Sequence, residues 1–279
     1  MNGLVLEGGA QRGIYTAGVL DVFLENGLDF DTVIGVSAGA LHGSSYVSKQ
    51  KGRSIEYTLK YCRHKDFMSI SSFIRTGNIV GTQFSYRDIP NTLVPFDYDS
   101  FESSRTKMYA VCTNVETGKA EYIECVDLRN NIDILRASAS MPFVSQFVEL
   151  FGKNYLDGGV TDSIPVQKAL DIGCDKVVVI LTQPFGYQKK PSKPIIANTK
   201  YKKYPNLATA INARYKVYNE TVKTIDKLEK EGKIFVIRPS AKVKIGRMEK
   251  DAAVIKQMYD LGCKDAGNCF TELIEYLKK

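Results

Sequence analysis

Short apolar runs alternate with helically spaced apolar positions along the first part of the chain. Residues 4–6 form an apolar run, and residues 14–25 carry apolar side chains at helical spacing as far as Asn26-Gly27, a typical helix end. A second apolar run, Thr32–Gly35, is followed by small residues that suit another helix. This order of strand, helix, strand and helix predicts parallel strands joined by crossover helices.

The same patterns extend the prediction along the rest of the chain. A turn at 116–119 joins two strands that we expect to pair. The further predicted strands are 108–112, 120–125, 177–182 and 234–237, and the further predicted helices are 132–140, 165–172, 207–231 and 248–279. We expect the last helix to be broken near Gly262 and Gly267, because glycine is unfavourable inside a helix.

Together these elements predict an α/β fold with a mainly parallel central sheet and helices on both faces. We expect residues 1–183 to form the core and residues 184–279 to form a basic, mostly helical C-terminal region packed on it. Residues 65–106 are less regular. They could form a lid over an apolar groove, although an ordinary insertion packed on the core is the simpler interpretation.

The composition is typical of a globular protein, with 44% hydrophobic and 25% charged residues. We find no signal peptide, and the strongest apolar run, Val177–Leu181, is far below the ~20 residues that a membrane span needs. The six cysteines form no CxxC pair, and only two histidines accompany them. We therefore predict a cytoplasmic protein, with peripheral membrane association as an option, and expect no metal and no cofactor.

The net charge of +7 has its source in one segment. Every charged residue between Lys176 and Asn219 is basic, and tyrosines lie among the lysines of residues 185–218. Such a segment is a candidate for peripheral contact with an anionic membrane, and a solvated surface is the alternative. No nucleic acid is expected as a partner, because no nucleic-acid-binding motif accompanies the charges.

A G-x-S-x-G motif formed by Gly35, Ser37 and Gly39 is the first candidate for chemistry. It lies between a predicted strand and a predicted helix, where a sharp turn holds the serine hydroxyl clear of the backbone. The amino end of the helix also offers free N–H groups to a developing negative charge. A serine in an ordinary strand-to-helix turn is the alternative, but the context favours a nucleophile.

The base that would serve this serine is not an obvious histidine. His42 lies on the helix that leaves the motif and should point away from the nucleophile or along the helix side, and His64 has no motif around it. Asp157 follows a short apolar strand and precedes Gly158-Gly159, a pair that lets another backbone approach closely. A carboxylate can act as the base only if a dry site raises its pKa, and a plain turn is the alternative.

The segment Glu7–Gly13 follows the first predicted strand and is rich in glycine. Its backbone N–H groups could bind a phosphate or form an oxyanion hole. A dinucleotide-binding G-x-G-x-x-G loop is the competing interpretation, but Ala10 stands where the second glycine belongs and would crowd a pyrophosphate. An oxyanion hole needs only N–H groups, so the segment favours acyl transfer.

These three motifs, in this order, resemble those of the patatin-like phospholipases, and most closely the compact bacterial members. The family pattern G-G-G-x-R/K-G is matched by residues 8–13, with Ala10 as the departure. Residues 137–142 and 237–240 also resemble segments of that bacterial branch, so the likeness covers nearly the whole chain. The resemblance implies a three-layer α/β/α fold of the patatin type.

The resemblance also implies roles for individual residues. Ser37 would be the nucleophile that forms an acyl-enzyme, and Asp157 would be the base that later activates water. The backbone N–H groups of Gly8, Gly9 and Ala10 would form the oxyanion hole. Finally, the arginine of this loop, Arg12, would brace it or contact a lipid phosphate.

The leading hypothesis is a serine acyl hydrolase that uses a Ser-Asp dyad on lipid esters, with activity like that of phospholipase A or lysophospholipase. A soluble carboxylesterase or thioesterase is the second hypothesis. The third is a lipid- or partner-binding protein that has lost turnover because Ala10 disturbs the loop. The expected partner is a lipid or another acyl ester.

Overall fold

Within the described residues, eight strands form one sheet. The structure is a computed structural model, and it describes residues 1–191 and 193–279. The strands are β1 (Asn2–Leu6), β2 (Thr32–Val36), β3 (Lys107–Asn114), β4 (Ala120–Glu124), β5 (Val148–Leu150), β6 (Lys153–Asp157), β7 (Lys176–Ile180) and β8 (Ile234–Ile237). They lie in the order β5-β6-β3-β2-β1-β7-β8, and β4 also pairs with β3. The pairs β3–β2, β2–β1, β1–β7 and β7–β8 are parallel, whereas the pairs β3–β4, β3–β6 and β5–β6 are antiparallel.

Helices cover both faces of this sheet. They are α1 (Ile14–Glu25), α2 (Ala38–Val47), α3 (Arg53–Tyr61), α4 (Ile70–Thr76), α5 (Tyr98–Glu102), α6 (Leu128–Asn131), α7 (Asp133–Ser138), α8 (Val166–Asp171), α9 (Pro194–Lys200), α10 (Pro205–Lys230) and α11 (Ala252–Lys278). Leu4 and Leu6 of β1 pack into the core that α1, α2 and α11 cover, while Val5 packs into the core under α8 and α10. Because successive strand residues are buried on opposite faces, the fold is a three-layer α/β/α sandwich, and the predicted fold class is confirmed.

The C-terminal region contributes to all three layers. Its strand β8 pairs with β7, so the sheet continues from the predicted core into residues 184–279. Tyr218 and Ile225 of α10 are buried on one face, and Ile255 and Met258 of α11 are buried on the other. The C-terminal region therefore packs on both faces of the sheet and also extends its central layer.

Residues 65–106 contain more regular structure than their sequence pattern indicates. Besides α4 and α5, they include a π-type helix at Phe84–Leu93. The two short α-helices begin at side-chain caps, because Ser69 Oγ accepts the N–H of Ser72 (3.0 Å) and Asp97 Oδ1 accepts the N–H of Ser100 (2.9 Å). Caps of this kind stabilise helices that are too short to show a clear apolar period.

Helix α11 runs without interruption, so the expected breaks near two glycines are wrong. A Cβ atom at Gly262 would overlap the carbonyl oxygen of Tyr15, and one at Gly18 would overlap the carbonyl oxygen of Tyr259. The helices α1 and α11 therefore touch backbone to backbone. This packing stabilises a helix that intrinsic propensity alone would interrupt.

The two glycines of α11 should respond in opposite ways to alanine. Gly262→Ala should lower the free energy of unfolding by about 1–3 kcal/mol, because the new methyl group forces α1 and α11 apart. Gly267 has no atom within 4 Å of its Cβ position, so Gly267→Ala should raise the free energy by roughly 0.5–1 kcal/mol through helix propensity. Urea unfolding followed by circular dichroism measures both, and equal effects would contradict the backbone contact.

Candidate active site

Ser37 occupies the turn between β2 and α2 in a strained conformation. Its φ of 54° and ψ of −120° lie outside the regions that most residues adopt. Two glycines permit this turn, because a Cβ at Gly39 would lie 2.5 Å from the carbonyl oxygen of Leu6 and one at Gly35 would lie 2.6 Å from Ala40 Cα. Strain of this kind is common where a nucleophile is held clear of the backbone.

A buried serine holds the turn in place. The N–H of Ser37 donates to Ser138 Oγ (2.9 Å), and the hydroxyl of Ser138 donates to the carbonyl oxygen of Val111 on β3 (2.7 Å). Ser138 at the end of α7 is fully buried. The sequence indicated this residue only as part of the small-residue run at 137–142, so its positioning role was missed.

The structure brings Ser37 and Asp157 together across 120 positions of sequence. The hydroxyl of Ser37 donates to Asp157 Oδ2 (2.8 Å), and Asp157 Oδ1 accepts the N–H of Gly159 (2.7 Å). Asp157 ends β6, which pairs with β3, and β3 pairs with β2, the strand that ends one residue before Ser37. Both side chains are buried.

The two glycines after Asp157 leave no room for side chains. A Cβ at Gly158 would overlap the carbonyl oxygen of Val111, and one at Gly159 would lie 2.9 Å from Asp157 Oδ1 and 3.1 Å from Arg214 Nη2. The Asp-Gly-Gly sequence therefore lets β6 end close against β3. It also lets Arg214 approach the carboxyl group.

Burial raises the pKa of Asp157 above its ordinary value of 3.8. The nearby Arg214 guanidinium, the hydrogen bonds from Ser37 and Gly159, and the Lys189 ammonium act in the opposite direction and limit this rise. A carboxylate with raised proton affinity that already accepts a serine hydroxyl hydrogen bond can take the proton of that hydroxyl.

Neither histidine forms a hydrogen bond with Ser37. His42 lines an apolar cavity that also includes Ser37, and its Nδ1 lies 3.4 Å from the hydroxyl of Tyr57. Burial, followed by the charge of Arg53, lowers the pKa of His42 to about 4. His64 stacks on Phe84 with the ring centroids 4.1 Å apart.

The segment Glu7–Gly13, which we call the glycine loop, lies beside Ser37 at the carboxyl end of β1. The N–H of Gly8 donates to the carbonyl oxygen of Ser163 (3.4 Å), whereas the N–H groups of Gly9 and Ala10 make no hydrogen bond with a described residue. Ala10 has a φ of 49°, in the left-handed region that favours glycine. The loop therefore offers two free N–H groups. It also accommodates Ala10, the residue that differs from the glycine of the family pattern.

A buried glutamate, Glu7, anchors the glycine loop. Its carboxyl group accepts the N–H of Thr182 (2.5 Å) and the hydroxyl of Tyr218 (2.8 Å), and burial raises its pKa. The side chain of Arg12 makes no hydrogen bond with a residue that the structure describes, and its Nε is buried. The hydrogen bonds that brace the loop thus come from the glutamate and not from the arginine.

An apolar cavity of about 120 Å³ opens beside Ser37. Residues 65–106 form much of its wall, and they supply Phe67, Met68, Val80, Tyr86, Ile89 and Phe96. The opposite wall includes Ala10, Leu41 and Leu135. The segment that we considered as a lid therefore covers a cavity next to the nucleophile.

Two basic residues of segment 185–218 are half-buried against this site. Lys189 Nζ lies 3.8 Å from the centroid of the Tyr218 ring, and Arg214 lies beside Asp157. Their contact with the site was not predicted, because the sequence pattern does not distinguish basic side chains that turn inward from those on the surface.

Comparisons with known proteins define the family. The family model described as patatin-like phospholipase matches residues 4–170, which is more than half of the chain, and a domain of unknown function (DUF6363) matches residues 204–278. The chain therefore belongs to the patatin-like phospholipase family.

Individual relatives share part of their length with this chain. "Uncharacterized protein YjjU" of Escherichia coli (strain K12) is 34% identical over 187 residues, which cover 65% of this chain and 52% of that protein. "Lysophospholipase NTE1" of Saccharomyces cerevisiae is 29% identical over 188 residues, which cover 64% of this chain and 10% of that protein. A solved structure of VipD from Legionella pneumophila aligns with 96% of this chain and 67% of its own, at 13% identity and a TM-score of 0.45. The chain thus spans about half of YjjU and a tenth of NTE1.

Two further findings concern membranes and metals. Among residues 1–191 and 193–279, no helix has the length and hydropathy that a bilayer span requires. The same residues contain no group of three or more His, Cys, Asp or Glu side chains arranged to bind a metal ion.

Removing the guanidinium beside Asp157 should change the pH dependence of Ser37 reactivity. Asp157 must be ionised to accept a proton, so labelling of Ser37 by a fluorophosphonate should fall as the pH drops through the raised pKa of Asp157. Arg214→Gln removes a positive charge that lowers this pKa, so the acid limb of the labelling rate should move to higher pH.

The matched control for this experiment is Lys216→Gln, which makes the same charge change at an exposed position of α10. Its labelling profile should follow that of the unaltered protein. An acid limb of Arg214→Gln that stays in place or moves to lower pH would contradict the assigned electrostatics.

Proposed function

We propose that the chain is a serine acyl hydrolase that releases fatty acids from lipid esters, with activity of the lysophospholipase or phospholipase A type. The observation that carries this proposal is the hydrogen bond from Ser37 to Asp157 (2.8 Å) in a buried site. Membership of the patatin-like phospholipase family supports a lipid ester as the substrate. The name of the NTE1 relative supports a lysophospholipid.

Acylation would begin with attack of Ser37 Oγ on the ester carbonyl carbon while Asp157 takes the hydroxyl proton. The negative charge that develops on the carbonyl oxygen would be stabilised by the free N–H groups of Gly9 and Ala10. Collapse of the tetrahedral intermediate breaks the ester C–O bond, and Asp157 returns its proton to the departing alkoxide. The products of this half-reaction are an alcohol and an acyl-Ser37 ester.

Deacylation would use the same groups with water as the nucleophile. Asp157 takes a proton from a water molecule, which attacks the acyl-Ser37 carbonyl, and the same two N–H groups stabilise the oxyanion. The C–O bond to Ser37 then breaks, and Asp157 returns the proton to Ser37 Oγ. Burial of Asp157 suits both steps, because a raised pKa strengthens the carboxylate as a base.

The apolar cavity next to Ser37 is the site where we place the acyl chain. Its walls are formed mainly by aliphatic and aromatic side chains, which favour hydrocarbon over a polar substituent. Residues 65–106 would thereby take part in binding the acyl group.

Substitution of either member of the pair should remove turnover and keep the fold. Ser37→Ala and Asp157→Asn should each lower the release of fatty acid from lysophosphatidylcholine micelles by at least about 10³-fold, because each removes a reacting group. His42→Ala should lower it far less, and His64→Ala serves as the control away from the cavity. A loss in His42→Ala as large as that in Ser37→Ala would show that the base has been assigned wrongly.

Two parallel measurements separate this proposal from the other hypotheses. Activity on short p-nitrophenyl esters without activity on lipids would indicate a soluble esterase. A folded protein whose Ser37 forms no fluorophosphonate adduct would indicate a binding protein.

We further propose that α9 and its flanking residues contact an anionic bilayer. Ile195 and Ile196 of α9 and the nearby Phe185 are among the exposed large hydrophobic side chains, with 71%, 53% and 70% of their surface accessible. The exposed lysines around them are Lys190, Lys193, Lys200, Lys202 and Lys203. Apolar side chains flanked by lysines suit the interface of a membrane with negative lipids.

The double substitution Ile195→Asp/Ile196→Asp should weaken binding to vesicles that contain phosphatidylserine by at least about tenfold, because it replaces apolar surface that the bilayer would bury by negative charge. Cosedimentation measures the bound fraction. The control Val126→Asp/Phe151→Asp introduces the same two charges at other exposed apolar residues and should leave binding unchanged. Equal loss in both proteins would argue against α9 as the contact surface.

A further inference from the structure

Four basic residues from four different parts of the chain converge behind the glycine loop. Arg12 lies at the end of that loop, Lys189 precedes α9, Arg214 lies on α10, and Arg247 lies between β8 and α11. The N–H of Gln11 donates to the carbonyl oxygen of Arg247 (3.4 Å), so the segment that carries Arg247 packs on the loop. We call these four residues the cationic cluster.

The cationic cluster surrounds two buried carboxyl groups. Lys189 lies over the Tyr218 ring, whose hydroxyl donates to the glutamate that anchors the loop. Arg214 Nη2 and Asp157 Oδ1 lie on either side of the space that a side chain at Gly159 would occupy. Burial lowers the pKa values of Arg12, Lys189 and Arg214, and the nearby charge of Arg247 lowers each of them further.

The four side chains of the cluster differ from Arg238 in their contacts with acidic residues. Within the described residues they form no salt bridge and no side-chain hydrogen bond, and the Nε atoms of Arg12 and Arg214 are buried without an acceptor. In contrast, Arg238 pairs with Asp226 and Glu229. The two carboxyl groups inside the cluster already accept hydrogen bonds from other donors.

Three of these cations are half-buried and Arg247 is exposed, and a bound anion would make the charged forms of the half-buried three more favourable. Burial, followed by the charge of Arg214, lowers the pKa of Lys189 to about 7, which reflects the cost of holding these cations together. An anion that accepts hydrogen bonds from several sides would offset this cost. Phosphate fits this description, because its oxygens match the forked donors of arginine and accept from lysine as well.

The location of the cluster relates it to the ester that Ser37 would attack. Ala10 and Gln11 line the apolar cavity together with Ser37, whereas Arg12 does not. The glycine loop therefore lies between the apolar cavity and the cationic cluster. An ester bound at the nucleophile would place its acyl chain in the first and its alcohol portion toward the second.

We propose that the cationic cluster binds the phosphate of the substrate's headgroup, so that the enzyme prefers acyl esters that carry a phosphate over neutral ones. This inference rests on the proposed function. Three cluster members, Lys189, Arg214 and Arg247, lie outside the matched residues 4–170, and two of them lie within 204–278. The segment matched by the domain of unknown function would thus act in substrate selection.

The test compares two substrates with the same acyl chain, lysophosphatidic acid and monoacylglycerol. The ratio of their kcat/KM values should favour lysophosphatidic acid in the unaltered protein, and Lys189→Met and Arg247→Gln should each reduce that ratio by about tenfold. Lys242→Met, at an exposed lysine of the segment that carries Arg247, should leave the ratio unchanged. A ratio near one in the unaltered protein, or an unchanged ratio in both cluster variants, would overturn the proposal.

Calorimetry tests the anion site without turnover. Ser37→Ala protein should bind glycerol 3-phosphate with one-to-one stoichiometry, and the added Lys189→Met substitution should weaken this binding by about tenfold. Absence of binding by glycerol 3-phosphate and by inorganic phosphate would overturn the anion site itself. Tight binding of either compound without a preference for lysophosphatidic acid would assign the site to a free phosphate compound and refute the headgroup assignment. Retained binding in a protein that hydrolyses no ester would refute the proposed function and leave the anion site standing.

Discussion

The hydrogen bond from Ser37 to Asp157 is the interaction on which the rest of the site depends, and β3 sets its length. Strands β2 and β6 are not neighbours, since β3 lies between them. One residue of β3, Val111, pairs with Val36 in the sheet register, accepts the hydroxyl of Ser138 and leaves no room for a side chain at Gly158. The spacing between the hydroxyl and the carboxyl group is therefore fixed by backbone contacts, which vary little.

The electrostatics of Asp157 reflect two opposing requirements. Burial raises its pKa and strengthens it as a base, but a carboxyl group that stays protonated at neutral pH could not accept the serine proton. Arg214 and the hydrogen bonds from Ser37 and Gly159 limit the rise. The same guanidinium belongs to the cationic cluster, so the group that tunes the base would also contact the substrate.

The sequence predicted the parts of this molecule that local chemistry determines. Sequence patterns that depend only on neighbouring residues mark the turn at Ser37, the Asp-Gly-Gly segment and the apolar strands. The predicted fold class followed from these patterns. Tertiary packing decided the rest: α11 continues through Gly262 because α1 lies against it. The inward Lys189 and Arg214 have the same residue types as a solvated surface, so no local pattern could separate them.

The position of β1 has a consequence for cooperativity. This strand carries the glycine loop and is hydrogen-bonded on one edge to β2 and on the other to β7, which lies beyond residue 170. The face of α1 is likewise covered by α11. Two stretches that match separate family models therefore share one core, and we expect them to unfold in a single transition. The end of the family match at residue 170 therefore does not mark the end of a folding unit in this chain.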